Sequence, residues 1–262
     1  MPELPDLEVF KDNIFGKLTA KRLVEPRVFN AQKVNVPQSI LLEGLKDKDL
    51  LSIGRVGKEL VFNFSSEKIV TVHLMLNGKI DIVPSGKSIE DIKFKIFSFA
   101  FENETIVFSD FGGLCTVRYM PPTNNVPDAF GDRFTQSYFF QIARKKPRVN
   151  IKAFLTDQSV VKGIGNAYVD EILWDARVSP LSVVGKIPDD VLETLYRSIG
   201  TVLRNAVGEI KRIAPDIFSG EERSFLKVHN KKLIKTETGA LVKSERIAAK
   251  ITYYTDEQVA YN

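Results

Sequence analysis

The chain opens MPELPDLEVF, which crowds two prolines and three acids into ten residues. Such a start is either the beginning of a helix or a chain end that itself carries chemistry. A second candidate is KGIGNAYVDEILWDARVSP, residues 162–180. There Gly163 and Gly165 permit a tight turn, Asn166 is placed to cap the helix that follows, and Asp170 and Glu171 fall in its first turns. A helix N-terminus behind a glycine turn offers free backbone N–H groups to an anion such as a phosphate. An ordinary helix–turn–helix packing unit has the same appearance at this length. Metal chemistry has few candidates. Cys115 is the one cysteine, and His73 and His229 are the only histidines. A disulfide framework is therefore excluded, and a nitrogen–sulfur metal site would need all three residues to converge.

Charge points to a polyanion. The 262 residues carry a formal net charge of only +4, but it is unevenly spread. Residues 141–152 hold Arg144, Lys145, Lys146, Arg148 and Lys152 with no acid, and residues 223–250 hold eight Lys and Arg against Glu237 and Glu245. Two basic surfaces on a near-neutral chain suit nucleic acid, although a solvated lysine-rich face has the same composition. An apolar content of 44% supports a sizeable core. No apolar run approaches the roughly 18 residues of a membrane span, and the N-terminus lacks the features of a secretory signal. A reducing, cytoplasmic compartment is the expectation.

The elements that must position these residues fall into two kinds. After Pro5, Asp6 to Lys17 reads as a helix with Leu7, Phe10 and Ile14 on one face. The period then changes to two: LLSIGRVGKELVFNF, KIVTVHLMLNGKIDIVP and FKIFSFAFENETIVFSDF are strand-rich runs broken by turns at Asn77–Gly78 and at 102–105. PPTNNVPDAFGD, residues 121–132, reads as a linker. Beyond it the pattern is helical, and Val191, Leu192, Leu195, Ile199, Val202 and Leu203 form an apolar stripe. LVKSERIAAKITYYT returns as a short hairpin.

PELPDLE, the GKEL at 57–60, HLMLNG at 73–78 and VVKGIGNAYVDEILWDARVSP occur in that order. With them the chain resembles the formamidopyrimidine-DNA glycosylase/endonuclease VIII family of base-excision repair enzymes over nearly its whole length. The resemblance implies an α+β fold. Residues 1–120 would form a β-sandwich with flanking helices and 121–132 a linker. A helix–two-turn–helix domain would span 133–224, and a hairpin finger 225–262. It also implies a bifunctional glycosylase and abasic-site lyase acting on damaged DNA as a monomer, without cofactor. Pro2, exposed as a secondary amine once Met1 is removed, would attack C1′. Glu3 would serve as general acid and base, and Lys58 would contact phosphates and assist. Asp6 stands where the family commonly has glutamate, so its hydrogen bonds are expected to lengthen. Glu171 matches an acid kept near the amine, and Lys152 and Asn166 match phosphate-gripping residues.

Four departures from the family pattern stand out. The positions of the family's four zinc-ligating cysteines hold Lys235, Thr238, Thr255 and Gln258, so the finger resembles a zincless one. Lys250 falls on the finger arginine that grips a phosphate, and Arg246, at even spacing, is expected on the same face. Leu76 aligns with the first of three side chains that fill the gap left by an extruded nucleotide. The loop carrying the other two reads Asp110-Phe111-Gly112-Gly113-Leu114-Cys115, with both family arginines absent, which leaves Phe111 or Leu114 as a wedge. Weak discrimination of the opposite base, and tolerance of single-stranded DNA, are expected. Residues 216–230 are shorter than the family's base-capping segment, so 8-oxoguanine should be a poor substrate. Ring-opened purines, oxidised pyrimidines, hydantoins and abasic sites are favoured. A catalytically lapsed DNA-damage binder of the same fold, or a helix–turn–helix regulator, would account for the basic stretches alone.

Overall fold

The computed structural model describes residues 1–18 and 21–262. The chain divides into two compact units, residues 1–124 with 210–221, and residues 125–209 with 222–262.

The first unit is built on two four-stranded antiparallel sheets. Its strands are β1 (Leu23–Val28), β2 (Leu50–Val56), β3 (Glu59–Phe64), β4 (Lys68–His73), β5 (Gly78–Pro84), β6 (Lys95–Phe101), β7 (Glu104–Asp110) and β8 (Thr116–Tyr119). One sheet runs β1-β6-β7-β5 and the other β2-β3-β4-β8. On β3, Leu60, Phe62 and Phe64 are buried and alternate with half-buried neighbours, the period-two pattern of a strand with one face in a core. Phe99 of β6 packs against Phe62 and Phe64 of β3 with ring centroids 5.1 and 5.4 Å apart. It also meets Phe97 edge-to-face at 4.8 Å. Both sheets thus share one aromatic core, with rings in the tilted and edge-on arrangements that their quadrupoles favour.

Helix α1 (Leu4–Lys17) buries Leu4, Leu7, Phe10 and Ile14. It starts two residues before the predicted Asp6, so Pro5 sits in its first turn, where a missing N–H is harmless. Helix α2 (Gln38–Leu45) buries Leu41 and Leu45. Residues 215–219 are tied to the same unit. Asn13 Nδ2 donates to the carbonyls of Pro215 and Ile217, both at 2.7 Å, and Ser219 Oγ accepts from Ile80 N at 3.2 Å.

The turn at Asn77–Gly78 is not a hairpin. β4 and β5 lie in different sheets, so residues 74–78 carry the chain from one to the other. Gly78 N donates to Leu74 O at 2.9 Å. A Cβ on Gly78 would stand 2.2 Å from that carbonyl oxygen, so this close approach of backbone to backbone demands glycine. Gly78→Ala is expected to lower stability by roughly 1–3 kcal/mol, the usual penalty of overpacking. A urea midpoint equal to that of the wild type would contradict this.

The second unit holds α3 (Gln136–Lys145), α4 (Ile151–Thr156), α5 (Asn166–Asp175), α6 (Asp189–Ile213) as far as Glu209, and a hairpin of β9 (Lys243–Ile247) and β10 (Lys250–Tyr254). As far as Glu209, the buried apolar residues of α6 are Leu192, Leu195, Ile199, Leu203 and Ala206, at the three- and four-residue spacing of one helix face. Val191 and Val202 are only half-buried. The second half of the expected linker is pinned: Lys162 N donates to Pro127 O at 2.9 Å, and Ala129 N to Lys162 O at 3.0 Å. Among the described residues no helix is long and apolar enough to cross a membrane.

Candidate functional site

In the first unit, chemistry-bearing residues gather at the start of α1. Glu3 is its N-cap, and Asp6, three residues on, accepts a hydrogen bond from Glu3 N at 2.7 Å. Both are buried. The expected lengthening at Asp6 does not occur here. The shorter acid closes onto the backbone of Glu3, the reciprocal half of a capping box, and so positions that residue. Pro2 lines a cavity of about 1300 Å³ together with Leu76, Phe94, Phe111, Ser219 and Glu221. The Met1 ammonium pairs with the Glu221 carboxylate.

Lys58 occupies the two-residue turn between β2 and β3, where Gly57 has φ 61°, as the first central position of a type II′ turn requires. Arg55 fixes that turn. Its Nη1 donates to Gly57 O at 3.0 Å, and its Nε to Glu8 of α1 at 2.8 Å. One nearly buried guanidinium therefore ties the Lys58 turn to the helix that carries Glu3. Sequence reasoning missed Arg55, because an arginine on a half-exposed strand gives no sign that it turns inward. Beside the turn, burial pulls His73 below its ordinary pKa; Glu59 opposes this, and Lys58 and Arg118 reinforce it. His73 Nδ1 accepts from Met75 N at 3.0 Å, which suits the neutral ring. Cys115 is buried, and burial, with Asp110 second, raises its thiol to about 12. It is an unreactive core residue.

In the second unit the structure corrects several expectations. Lys152 does not face a phosphate. Its side chain is 0% exposed and paired with Asp170, also 0% exposed, at 2.7 Å. The same ammonium donates to Thr252 Oγ1 at 2.7 Å and Ile251 O at 3.3 Å, so its three donors meet three acceptors. The other Asp170 oxygen contacts His229 Nδ1 at 2.7 Å and accepts from Tyr253 N at 2.9 Å. The sequence signal for Asp170 was an acid in the first turns of α5, beside Glu171. Asn166 is the first residue of α5 and not its cap, a position held by Gly165. Its Nδ2 donates to Ile251 O at 3.0 Å, so Asn166 and Lys152 converge on one finger carbonyl. Both Glu171 oxygens are engaged by the backbone N–H groups of Lys227, Val228 and His229 at 2.7–2.9 Å. Burial raises its carboxyl above the ordinary value, and those three donors pull it back.

Arg246 and Lys250 do not share a face. Ala248 and Ala249, at φ 49° and 62°, form a turn between them, so Arg246 pairs with Ile251 and Lys250 with Ile247. Even spacing places residues on one face only within a single strand. Arg246 is exposed, whereas Lys250 is half-buried and donates to Thr156 Oγ1 at 2.7 Å. At the four positions aligned with cysteines, Thr238 and Thr255 both donate to Glu257, at 2.9 and 3.2 Å. Gln258 accepts from Thr255 N and donates to Val178 O, each at 2.9 Å. Lys235 is exposed. Among the described residues no three or more His, Cys, Asp or Glu are grouped to hold a metal.

Removing one partner of a buried ion pair typically costs about 3–5 kcal/mol. Lys152→Met or Asp170→Asn should therefore lower the melting temperature sharply, and the double variant should recover much of the loss. The double variant should also keep the wild-type salt slope of DNA binding. A slope lower by about one would mean that Lys152 contacts a phosphate after all.

Comparison with known proteins matches the architecture. Residues 1–116 fit the model of the formamidopyrimidine-DNA glycosylase N-terminal domain, and residues 126–215 that of the formamidopyrimidine-DNA glycosylase H2TH domain. Over 207 residues the chain is 32% identical to the formamidopyrimidine-DNA glycosylase of Carboxydothermus hydrogenoformans, covering 78% of this chain and 76% of that one. It is also 32% identical over 232 residues to that of Lactobacillus johnsonii, with coverage of 80% and 78%. Among solved structures, Lactococcus lactis Fpg bound to DNA containing an abasic site aligns with a TM-score of 0.86 at 22% identity, over 98% of this chain and 99% of that one. With sandwich, helical unit and hairpin all accounted for, the chain belongs to the formamidopyrimidine-DNA glycosylase family.

Proposed function

We propose that this protein is a bifunctional DNA glycosylase and abasic-site lyase of base excision repair that uses Pro2 as its nucleophile. One observation carries the reading: Pro2 lines a large cavity at the head of α1, directly before a Glu3 whose backbone Asp6 holds. Removal of Met1 frees a secondary amine, and reference α-amino groups have pKa values of about 7.7–8.0, so a useful fraction is neutral near physiological pH. The nitrogen lone pair attacks C1′ as the bond to the damaged base breaks, and the base leaves with that bonding pair and a proton. The sugar ring opens, O4′ is protonated by Glu3, and an iminium links Pro2 to C1′. The iminium acidifies the C2′ proton; its removal expels the 3′ phosphate, and a second elimination releases the 5′ phosphate.

Lys58, on its clamped turn, is assigned to the phosphates beside the opened sugar. Glu171 is assigned to holding residues 227–229, whose backbone N–H groups donate to its carboxylate. Damaged DNA is the partner, gripped along its backbone by exposed cations such as Arg246. The segment 216–230 supports the substrate range read from the sequence. The segment is short and partly bound to α1 and β5, which leaves little chain to cap an 8-oxoguanine. Ring-opened purines, oxidised pyrimidines and abasic sites are the assigned substrates, and the monomer is the assigned acting form.

Borohydride trapping on a duplex with an abasic site tests this. The processed protein should give a covalent adduct. A retained N-terminal tag, which converts the Pro2 amine to an amide, should abolish it while leaving salt-sensitive DNA binding intact. Tight DNA binding by the processed protein with no adduct would overturn the reading.

A further inference from the structure

The charged residues around the chain end are not used alike. Glu3 and Asp6 engage each other's backbone in the capping box that opens α1. The cavity that Pro2 lines also presents Lys79 and Asp81 from β5, Asp91 and Lys93 from the run before β6, and Asp216 and Glu221 from the segment after α6. Of these, Glu221 turns to the terminus. Its carboxylate pairs with the Met1 ammonium, 220 residues away in sequence. The segment that carries it is fixed in place. Asn13 of α1 holds the carbonyls of Pro215 and Ile217, and Ser219 Oγ accepts from Ile80 N. Gly220 then takes φ 86°, in the left-handed region that favours glycine, and redirects the chain just before Glu221. The Glu221 side chain is 34% exposed, so its charge is partly shielded from water.

We propose that Glu221 is a positioning residue for the nucleophile: with Met1 removed, its carboxylate accepts the N–H of Pro2 and directs the nitrogen lone pair into the cavity. This rests on the function proposed above. Cleavage moves the amine back by one residue, about 3.8 Å along the chain, a displacement that a glutamate side chain can follow. A neutral proline amine has one N–H and one lone pair, and its ring prevents it from turning. Holding the N–H therefore sets where the lone pair points. As the iminium forms, that proton passes to water, and the carboxylate then stands as counter-ion to the charged nitrogen. Glu221 makes no bond to the substrate. A carboxylate in this place favours both cationic forms, ammonium and iminium, over the neutral amine. Partial exposure puts the effect near the low end of the usual range, about one pKa unit, or roughly tenfold.

The test compares Met1-free wild type with Glu221→Gln by cyanoborohydride trapping on an abasic duplex. Rates are taken in single turnover with protein saturating, from about pH 6 to pH 9, on both sides of the reference range for an α-amino group. Glutamine keeps the size and an acceptor oxygen but not the charge. Above the amine's pKa the reaction converts a neutral amine to a cation, and the variant should be slower by roughly tenfold. Below it the nitrogen is a cation before and after, the carboxylate's effect cancels, and the two rates should converge. The midpoint of the pH profile should accordingly fall by about one unit in the variant. Titration of Glu3, Asp81, Asp91 and Asp216 is common to both proteins and drops out of their ratio. A loss by the same factor at every pH would mean that the side chain only supports the fold, and would overturn the proposal; so would identical profiles. If wild type forms no adduct, the proposed chemistry fails, and NMR of protein carrying isotope-labelled proline still reads the contact. Pro2 should then titrate about one unit lower in the variant than in wild type. Equal Pro2 titrations in the two proteins would sink the assignment of Glu221 whatever the adduct shows.

Discussion

The second unit depends on a charge pair that water does not reach. Lys152 and Asp170 lie at 2.7 Å with neither side chain exposed. Isolated in an interior, either ion would be strongly disfavoured. Here the ammonium meets three acceptors and the carboxylate meets Lys152, His229 and the backbone of Tyr253. Such a pair adds little net stability over apolar residues of the same volume, but it tolerates few arrangements of its surroundings. It fixes α4 against α5, and both against β10. Asn166 bonding to the same Ile251 carbonyl adds a second tie between α5 and that strand. The hairpin is therefore held by side chains that the helices supply.

Carboxylates that grip irregular backbone recur through the chain. Asp6 takes the N–H of Glu3, Asp110 those of residues 112, 114 and 115, and Glu171 those of residues 227–229. Loops lack the ladder partners of helices and strands, and a buried N–H without an acceptor is costly. An ionised carboxylate accepts two or three at once with strong bonds. Each of the first two carboxylates sits beside a candidate functional group: Glu3 in one case, Phe111 in the other. Short segments that would otherwise sample many conformations are given one, and the side chains they carry are presented in fixed directions.

Periodicity made the elements legible, and their partners were not. Alternation along β3 and the stripe on α6 follow from which faces meet a core, so both show in the residue order. Sheet membership does not. Asn77–Gly78 has the composition of a hairpin turn, yet the chain crosses there to the other sheet, because strand pairing is decided by contacts remote in sequence. Lys152 lies in a basic run and reads as surface; its burial depends on Asp170, eighteen residues away. Ala248–Ala249 carries none of the glycine or asparagine that marks a tight turn. Arg246 and Lys250 were consequently read on one strand. Asp6 was legible as an acid at the right place, but its bond to Glu3 N depended on where the helix begins.

The hairpin also shows what can stand where thiolates would. A bound metal fixes four side chains at once and couples folding to binding. Here Glu257 accepts from Thr238 and Thr255 and pairs with Arg177 at 3.1 Å, and Gln258 links Thr255 N to Val178 O. The contacts of Glu257 are partly solvated, and partly exposed ion pairs contribute little. That web alone is a weak substitute for coordination. Anchoring shifts to the strand's other end, where Thr252 and Tyr253 contact the buried Lys152–Asp170 pair and Tyr254 packs inward. The strand is thereby secured by a buried lysine and carboxylate that the helical unit supplies. Lys152 thus acts as an internal tether of the strand, joining α4 to Asp170 and Thr252.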